Sequence, residues 1–355
     1  MTLPLPSLRP GWLLSETKDF GGLSARDFLA RLGQQRWRVE HFPCASDSAV
    51  RDCDLLVIDL PITDPDAEGV LDETVSTAVL NAVPVLFHGP AALIATIGRR
   101  CRLSPVPLTP DELPHWWGPE RLDEELIRNT PSLPITSVTL GRYWAAVETR
   151  DTMGLAAMAH LSGLPGGKAA SLDPESMIGM PLSTVATGLR ELSGMARTLA
   201  CAAVNAGIPP PPHAVTGDGL LSDHASPGKK TVIVGRFPAL QAKRPGAIVL
   251  EMSPGPDDLP AEAASYVIPG AGELLVTASA WCNGTLSGLL RLATSIPVTL
   301  VGPGTPLSPA LHAYGIRTLG GFKAVNRNAI KAVIANDGGV KAFKEFGEQV
   351  LLSAE

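Results

Sequence analysis

GELLVTASAWCNGTLSGLLRLATSIPVTLVGP, residues 272–303, decides the fold. It opens on an unbroken apolar run, passes a polar turn at Asn283, Gly284 and Thr285, and continues with leucines at helical spacing. It ends in a second apolar run closed by Gly302 and Pro303. A short apolar run without alternation is a strand covered on both faces, and two such strands joined by a helix make a parallel βα unit. Outward from this stretch the same alternation recurs. Strands are expected at 231–234, 247–250, 274–278 and 297–301, with a short one near Thr318. Helices are expected at 262–266, 284–293, 309–314 and 329–346. The pattern predicts a doubly wound, Rossmann-like α/β domain over 215–355.

Upstream, residues 1–125 alternate in the same way. A helix is expected at 25–32, with Ser24 as cap and Phe28, Leu29 and Leu32 on one face. Strands follow at 38–42, 55–60 and 83–88, and helices at 73–81 and 91–99. CDLLVID (53–59) and VPVLFHGP (83–90) match GELLVTA (272–278) and IPVTLVGP (296–303), and RVEHFP (38–43) matches VLEMSP (249–254). These matches make the first domain a Rossmann-like α/β unit and a candidate duplicate of the last. The proline-rich stretch 105–119 is a connection, with Trp116 and Trp117 as residues that dock one domain on another.

The middle part, 130–210, reads differently. A hairpin of strands 137–140 and 143–147 turns at Gly141 and Arg142. A small apolar stretch, 154–161, precedes a helix at 193–205, capped by Ser193 and stopped by Gly207. This is a small α+β domain, and Pro209–Pro212 is an extended linker after it.

Composition narrows the function. The 355 residues are 45% hydrophobic and 18% charged, enough for a proper core, and a length that suits two or three domains. A formal charge of −6, with no basic run longer than Lys229-Lys230, argues against a nucleic-acid partner. No apolar run reaches the roughly 20 residues of a membrane helix, and the first residues lack a signal peptide's pattern. Cys44, Cys53, Cys101, Cys201 and Cys282 are scattered, so reduced thiols and a cytoplasmic location are the expectation. A homo-oligomer stays open.

Chemistry gathers at the carboxyl ends of the last domain's strands. Gly235 after the first strand lets a ligand approach the backbone, with Arg236 beside it. Glu251 ends the next strand where dinucleotide folds place a ribose-binding acid, yet no G-x-G-x-x-G precedes it, so NAD is not supported. Ser279, Asn283, Gly284 and Thr285 surround a helix start, whose amides hold an anion or need only a plain cap. Gly302, Gly304, Thr305 and Ser308 lie in a stiff loop of glycines and prolines. Convergence of three such loops predicts a small-ligand site. His213, His224, Asp218 and Asp223 form a second polar constellation, read first as loop solvation. The seven histidines show no H-x-x-x-H or H-x-H pair, and Cys282 reads as a buried filler before it reads as a thiolate ligand.

TVIVGRFP, VLEMSPGPDDLP, LLVTASAWCNGTL and VTLVGPGTPLSP, in this order, resemble the bacterial and archaeal family described as "putative heavy-metal chelation". SVTLGRYWAAVET, GMPLSTVATGL and AAVNA extend the resemblance upstream, so that it covers about 130–330. It implies an enolase-N-terminal-like domain before the Rossmann-like one, with a cleft between them lined by the loops above. The implied function is binding of a metal ion, metal chelate or metallophore, with a transition-metal ion as the candidate cofactor. The alternative is an enzyme acting on a small polar or anionic metabolite in the same cleft, with Glu251 as binder or base. Whether the protein is catalytic is open at this point.

Overall fold

The computed structural model describes residues 7–8, 10–13, 38–39, 42–43, 50, 53, 55–61, 70–81, 83, 85–103, 105–107, 119, 121–159, 174–191, 193–222, 224–225, 228–237, 240–293 and 296–354. The chain divides into two compact units, with the boundary between Gly118 and Pro119. The expected helix at 25–32, Trp116 and Trp117 lie outside the described residues.

The first unit holds strands β1 (Ser7–Leu8), β2 (Pro10–Leu13), β3 (Arg38–Val39), β4 (Phe42–Pro43), β5 (Leu55–Asp59), β6 (Val85–His88) and β7 (Val106–Pro107). Helices α1 (Leu71–Leu80) and α2 (Ala91–Cys101) follow β5 and β6. Five strands form a parallel sheet in the order β4-β2-β5-β6-β7, while β1 pairs with β3. The strand expected over 38–42 is therefore two short strands in different sheets. Leu56, Val57 and Ile58 are wholly buried, as their unbroken apolar run requires. Val75 and Ala78 of α1, and Ile94 and Ile97 of α2, present 3-residue-spaced faces to the same core.

The second unit begins with α3 (Arg121–Asn129) and an antiparallel sheet of β8 (Ser137–Leu140), β9 (Trp144–Glu148) and β10 (Met153–Ala157), in the order β10-β9-β8. The hairpin turns one residue later than expected. Gly141 N–H donates to Trp144 O at 2.9 Å, so Arg142 and Tyr143 make the turn. Gly141 serves packing instead: a Cβ there would stand 2.0 Å from Ile334 O. Next come α4 (Leu182–Ala186) and α5 (Met195–Gly207), the latter starting two residues late and containing Gly207 rather than stopping before it. The alanine-rich face of α5 lies so close on β10 that a Cβ at Gly154 would meet Ala202 O at 2.1 Å.

The rest is an eight-stranded sheet. Its strands are β11 (Val215–Thr216), β12 (Thr231–Val234), β13 (Ile248–Glu251), β14 (Leu259–Pro260), β15 (Glu273–Thr277), β16 (Val298–Val301), β17 (Ile316–Ala324) and β18 (Gly347–Ser353). Helices α6 (Leu240–Lys243), α7 (Ala264–Val267), α8 (Ser279–Cys282), α9 (Leu286–Leu292), α10 (Arg327–Ala335) and α11 (Val340–Phe343) accompany them. The order is β11-β18-β17-β16-β15-β12-β13-β14, parallel from β17 to β14 and antiparallel at β17-β18-β11. The chain is thus an α/β protein, as its pattern predicts, with departures at the end. The short strand near Thr318 is nine residues long, and residues 309–314 form a 3-10 rather than an α-helix. The helix expected over 329–346 breaks at Asp337 (φ 57°), Gly338 and Gly339, and the chain returns as β18. Asp337 Oδ1 accepts the Arg142 N–H at 2.7 Å, which uses that break to hold the hairpin. Buried Glu148 at the end of β9 accepts Lys331 Nζ at 2.7 Å and lies 3.7 Å from Arg327, tying α10 to the small sheet.

Both parallel sheets reverse order at their first main strand: β2 lies between β4 and β5, and β12 between β13 and β15. The turns after β6 and β16 also agree. Leu60 N–H donates to His88 O at 2.8 Å, and Ala278 N–H to Val301 O at 2.9 Å. Gly89 (φ 128°) and Gly302 (φ 141°) follow, each beside the residue that donates. By this register Asp59 holds the position in its own sheet that Thr277 holds in the other, one residue from where the CDLLVID and GELLVTA match sets it. Among the described residues, no helix is long and apolar enough to cross a membrane.

Candidate functional site at the reversal of strand order

Where an open sheet reverses its strand order, loops on either side leave in opposite directions and open a crevice at the carboxyl ends of the strands. In the second unit that point lies between β12 and β15. Gly235 leaves β12 at φ 96°, and a Cβ there would stand 2.7 Å from Thr277 Cγ2, so only glycine passes the end of β15. Its N–H donates to Leu250 O at 3.0 Å, which holds the turn to β13.

Arg236 is exposed, and its guanidinium pairs with the Asp258 carboxylate in the loop after β13. Gly255 N–H donates to the same Asp258 oxygen at 2.9 Å. These contacts, the backbone one first, hold the Asp258 carboxyl below the usual range. A Cβ on Gly255 would stand 2.5 Å from Arg236 Nη2, so the guanidinium lies over bare backbone. Glu251, half-buried, ends β13 in the same loop.

The loop after β15 lies on the other side of β12. Asn283 Oδ1 accepts Thr285 N–H at 3.1 Å and Thr285 Oγ1–H at 2.7 Å, while Asn283 Nδ2 lies 3.9 Å from Met252 Sδ in the loop after β13. Gly284 and Thr285 are exposed, and Ser279 is half-buried with its N–H on Thr277 Oγ1 at 3.4 Å. Asn283 and Thr285 therefore brace one another, and no side chain caps α9.

The back of this loop is anchored. Trp281 is wholly buried; its Nε1–H donates to Asp123 Oδ1 at 2.9 Å and its carbonyl accepts Arg197 Nε–H at 3.0 Å. Arg197 Nη2 reaches Asp123 Oδ2 at 2.8 Å. Burial pushes the Asp123 carboxyl up, against the pull of Arg197 and the indole. Cys282 is buried against Cys201, whose thiol burial pushes well above the ordinary range. The sequence carries no local sign of the Asp123–Trp281 contact, which spans 158 residues. Asp258 and Gly255 were legible only as turn residues of PGPDD.

The expected site residues thus divide. Gly235, Arg236, Glu251, Ser279, Asn283, Gly284 and Thr285 lie at the carboxyl ends of β12, β13 and β15, and Gly302 follows β16, where a Cβ would meet Ala278 Cβ at 3.3 Å. Gly304, Thr305 and Ser308 are buried. Gly304 packs on the backbone of β10, and Asn205 Nδ2 bridges Leu155 O at 2.8 Å and Gly304 O at 3.0 Å. His224 lies elsewhere again: its N–H reaches Glu273 at 2.9 Å and Nε2 reaches Thr318 Oγ1 at 2.9 Å, near the start of β15 and β17. Asp218 pairs with Lys243 and caps its own turn through Leu220 N–H at 3.0 Å. Asp223 lies outside the described residues. Among the described residues, no three His, Cys, Asp or Glu side chains gather as a metal-ion cage.

Comparison with known proteins gives two family models, both described as "Putative heavy-metal chelation", matching residues 123–208 and 220–353. A crystal structure of a protein of unknown function from Desulfitobacterium hafniense is similar at 23% identity and TM-score 0.58, over 66% of this chain and 98% of that one. One from Pyrococcus horikoshii, also of unknown function, is similar at 18% identity and TM-score 0.54, over 66% of this chain and 99% of that one. About a third of this chain is thus additional to either. No curated protein matches.

Proposed function

The chain belongs to the family described as "Putative heavy-metal chelation", and from that premise we propose that the crevice at the ends of β12, β13 and β15 binds a metal already wrapped in an oxygen-rich chelator. The observation that carries this reading is the donor set. Arg236 offers a guanidinium aimed over bare Gly255 backbone; Asn283, Thr285 and Ser279 offer an amide and hydroxyls; Glu251 offers one carboxylate. Such groups hydrogen-bond a carboxylate-bearing molecule, and arginine suits that geometry. A bare transition ion instead needs several converging soft, imidazole or carboxylate donors, which the described residues do not assemble. A chelate brings its own donors, and the protein then reads its outer oxygens.

The N-terminal unit, with the same order reversal and the same glycine turn, is read as a second copy of this scaffold.

Titration calorimetry with Ni²⁺ alone and with Ni²⁺–citrate separates the two modes. The chelate should bind one to one and the free ion should not. Arg236→Ala removes a charge-assisted contact worth about 1.5–3 kcal/mol and should weaken the chelate by roughly ten- to a hundredfold. Tight binding of free Ni²⁺, or an unchanged Arg236→Ala variant, would overturn the reading.

A further inference from the structure

An open groove of about 820 Å³ lies between the small antiparallel sheet and the start of α10, and none of the crevice residues Arg236, Glu251 or Asn283 lines it. Its one lining carboxylate, Glu148, is 5% exposed. Lys331 Nζ reaches that carboxylate at 2.7 Å and Arg327 Nη1 lies 3.7 Å from it. Arg327 is fixed further by backbone: Nη1–H donates to Thr149 O at 3.2 Å and Nη2–H to Arg150 O at 3.1 Å. Carbonyls orient a guanidinium but do not cancel its charge. Arg150, exposed in the turn between β9 and β10, also lines the groove and has no ion-pair partner among the described residues. Asp151, beside it in the chain, lines a separate cavity. Three cations therefore face one carboxylate, a surplus of two positive charges in a chain whose formal charge is −6. Ser137 and Asn328 add neutral donors, while Pro134 and Val325, the latter 60% exposed, add apolar surface. A concave surface lined by one sign of charge concentrates ligands of the other.

We infer that this groove is a second ligand site, for a small phosphate monoester with an apolar body. The head is close to a dianion above neutral pH, which matches the surplus of two charges. Its oxygens accept hydrogen bonds, and the groups that line the groove are mainly donors. The phosphate lies against Arg150, with Arg327 and Lys331 beside it, and the body covers Pro134 and Val325. Ligand pockets commonly measure about 300–1,000 Å³, so the groove has room for more than an inorganic ion. It shares no residue with the crevice, and the inference does not rest on the chelate reading.

Phenyl phosphate is the probe, with phenol and inorganic phosphate as its two halves. Titration calorimetry of the full chain at low salt and about pH 8, where the monoester is almost wholly dianionic, should show one submillimolar site for phenyl phosphate. Phenol should not bind, and inorganic phosphate should bind several-fold more weakly. Arg150→Ala removes a charge-assisted contact from an exposed turn and should weaken phenyl phosphate about tenfold or more, while Arg150→Lys should keep part of the affinity. Val325→Asp sets a carboxylate on the exposed apolar side of the groove and should abolish binding. Arg236→Ala should leave it unchanged. Absence of binding, or inorganic phosphate equal to phenyl phosphate, would overturn the assignment. So would full affinity in Arg150→Ala or Val325→Asp, or a loss in Arg236→Ala, which would move the site to the crevice.

Discussion

Arg236, in the loop after β12, is held by Asp258, in the loop after β13, so the guanidinium on which the proposed site depends is fixed before any ligand arrives. Asp258 is in turn fixed by the Gly255 N–H at 2.9 Å. Preorganised groups bind without the ordering cost that a free side chain bears.

The Asp258 carboxyl should therefore titrate below the value of about 3.9 of a free aspartate. Because its folded value is depressed, its contribution to loop order is complete above the unfolded value and is lost as pH falls through the folded one. Carbon-detected NMR titration reads the midpoint directly. A midpoint at or above the free value would mean that the pair does not form.

Asp123→Ala should cost about 3 kcal/mol in urea unfolding, because it strands the buried Arg197 guanidinium and the Trp281 indole together. Asp123→Asn should cost less, since a carboxamide oxygen still accepts the indole N–H. A loss below about 1 kcal/mol for the alanine variant would show that Arg197 is satisfied by carbonyls alone.

Gly89→Ala and Gly302→Ala test the shared turn. At φ 128° and 141° a side chain costs about 1–3 kcal/mol from backbone strain alone. Gly89 should suffer more, because its Cβ would stand 2.4 Å from Leu60 O, whereas that of Gly302 meets Ala278 Cβ at 3.3 Å. Denaturation of both variants checks the order; a larger loss at Gly302 would contradict it.

Cys201 and Cys282 should resist iodoacetamide at pH 8 in the native protein and react fully in urea, since both are buried and burial raises the Cys201 thiol. Peptide mass spectrometry reports each site. Native labelling of Cys282 would show that the loop behind Asn283 opens, which the Trp281 anchor should prevent.

The parallel strands were legible because their apolar runs are short, unbroken and closed by glycine or proline, as in Val298–Val301 before Gly302. The end of the chain was not. The antiparallel pair β17 and β18 mixes Gly320 and Gly321 with exposed Lys323 and Glu348, so neither strand shows a clean period. Gly141 misled the turn because it answers a contact with Ile334 far along the chain. In the site, the adjacency of Gly235, Arg236 and Asn283 follows from strand order, which the pattern carries. The partners that hold them, Asp258 and Asp123, come from a turn motif and from a distant helix, where spacing says nothing.

The most direct measurement is anomalous scattering at the nickel edge from crystals soaked in Ni²⁺–citrate. The account predicts one peak in the crevice, with citrate oxygens within hydrogen-bond distance of the Arg236 guanidinium and no protein atom ligating the metal. A peak ligated directly by protein side chains, or lying away from Arg236 and Asn283, would contradict it.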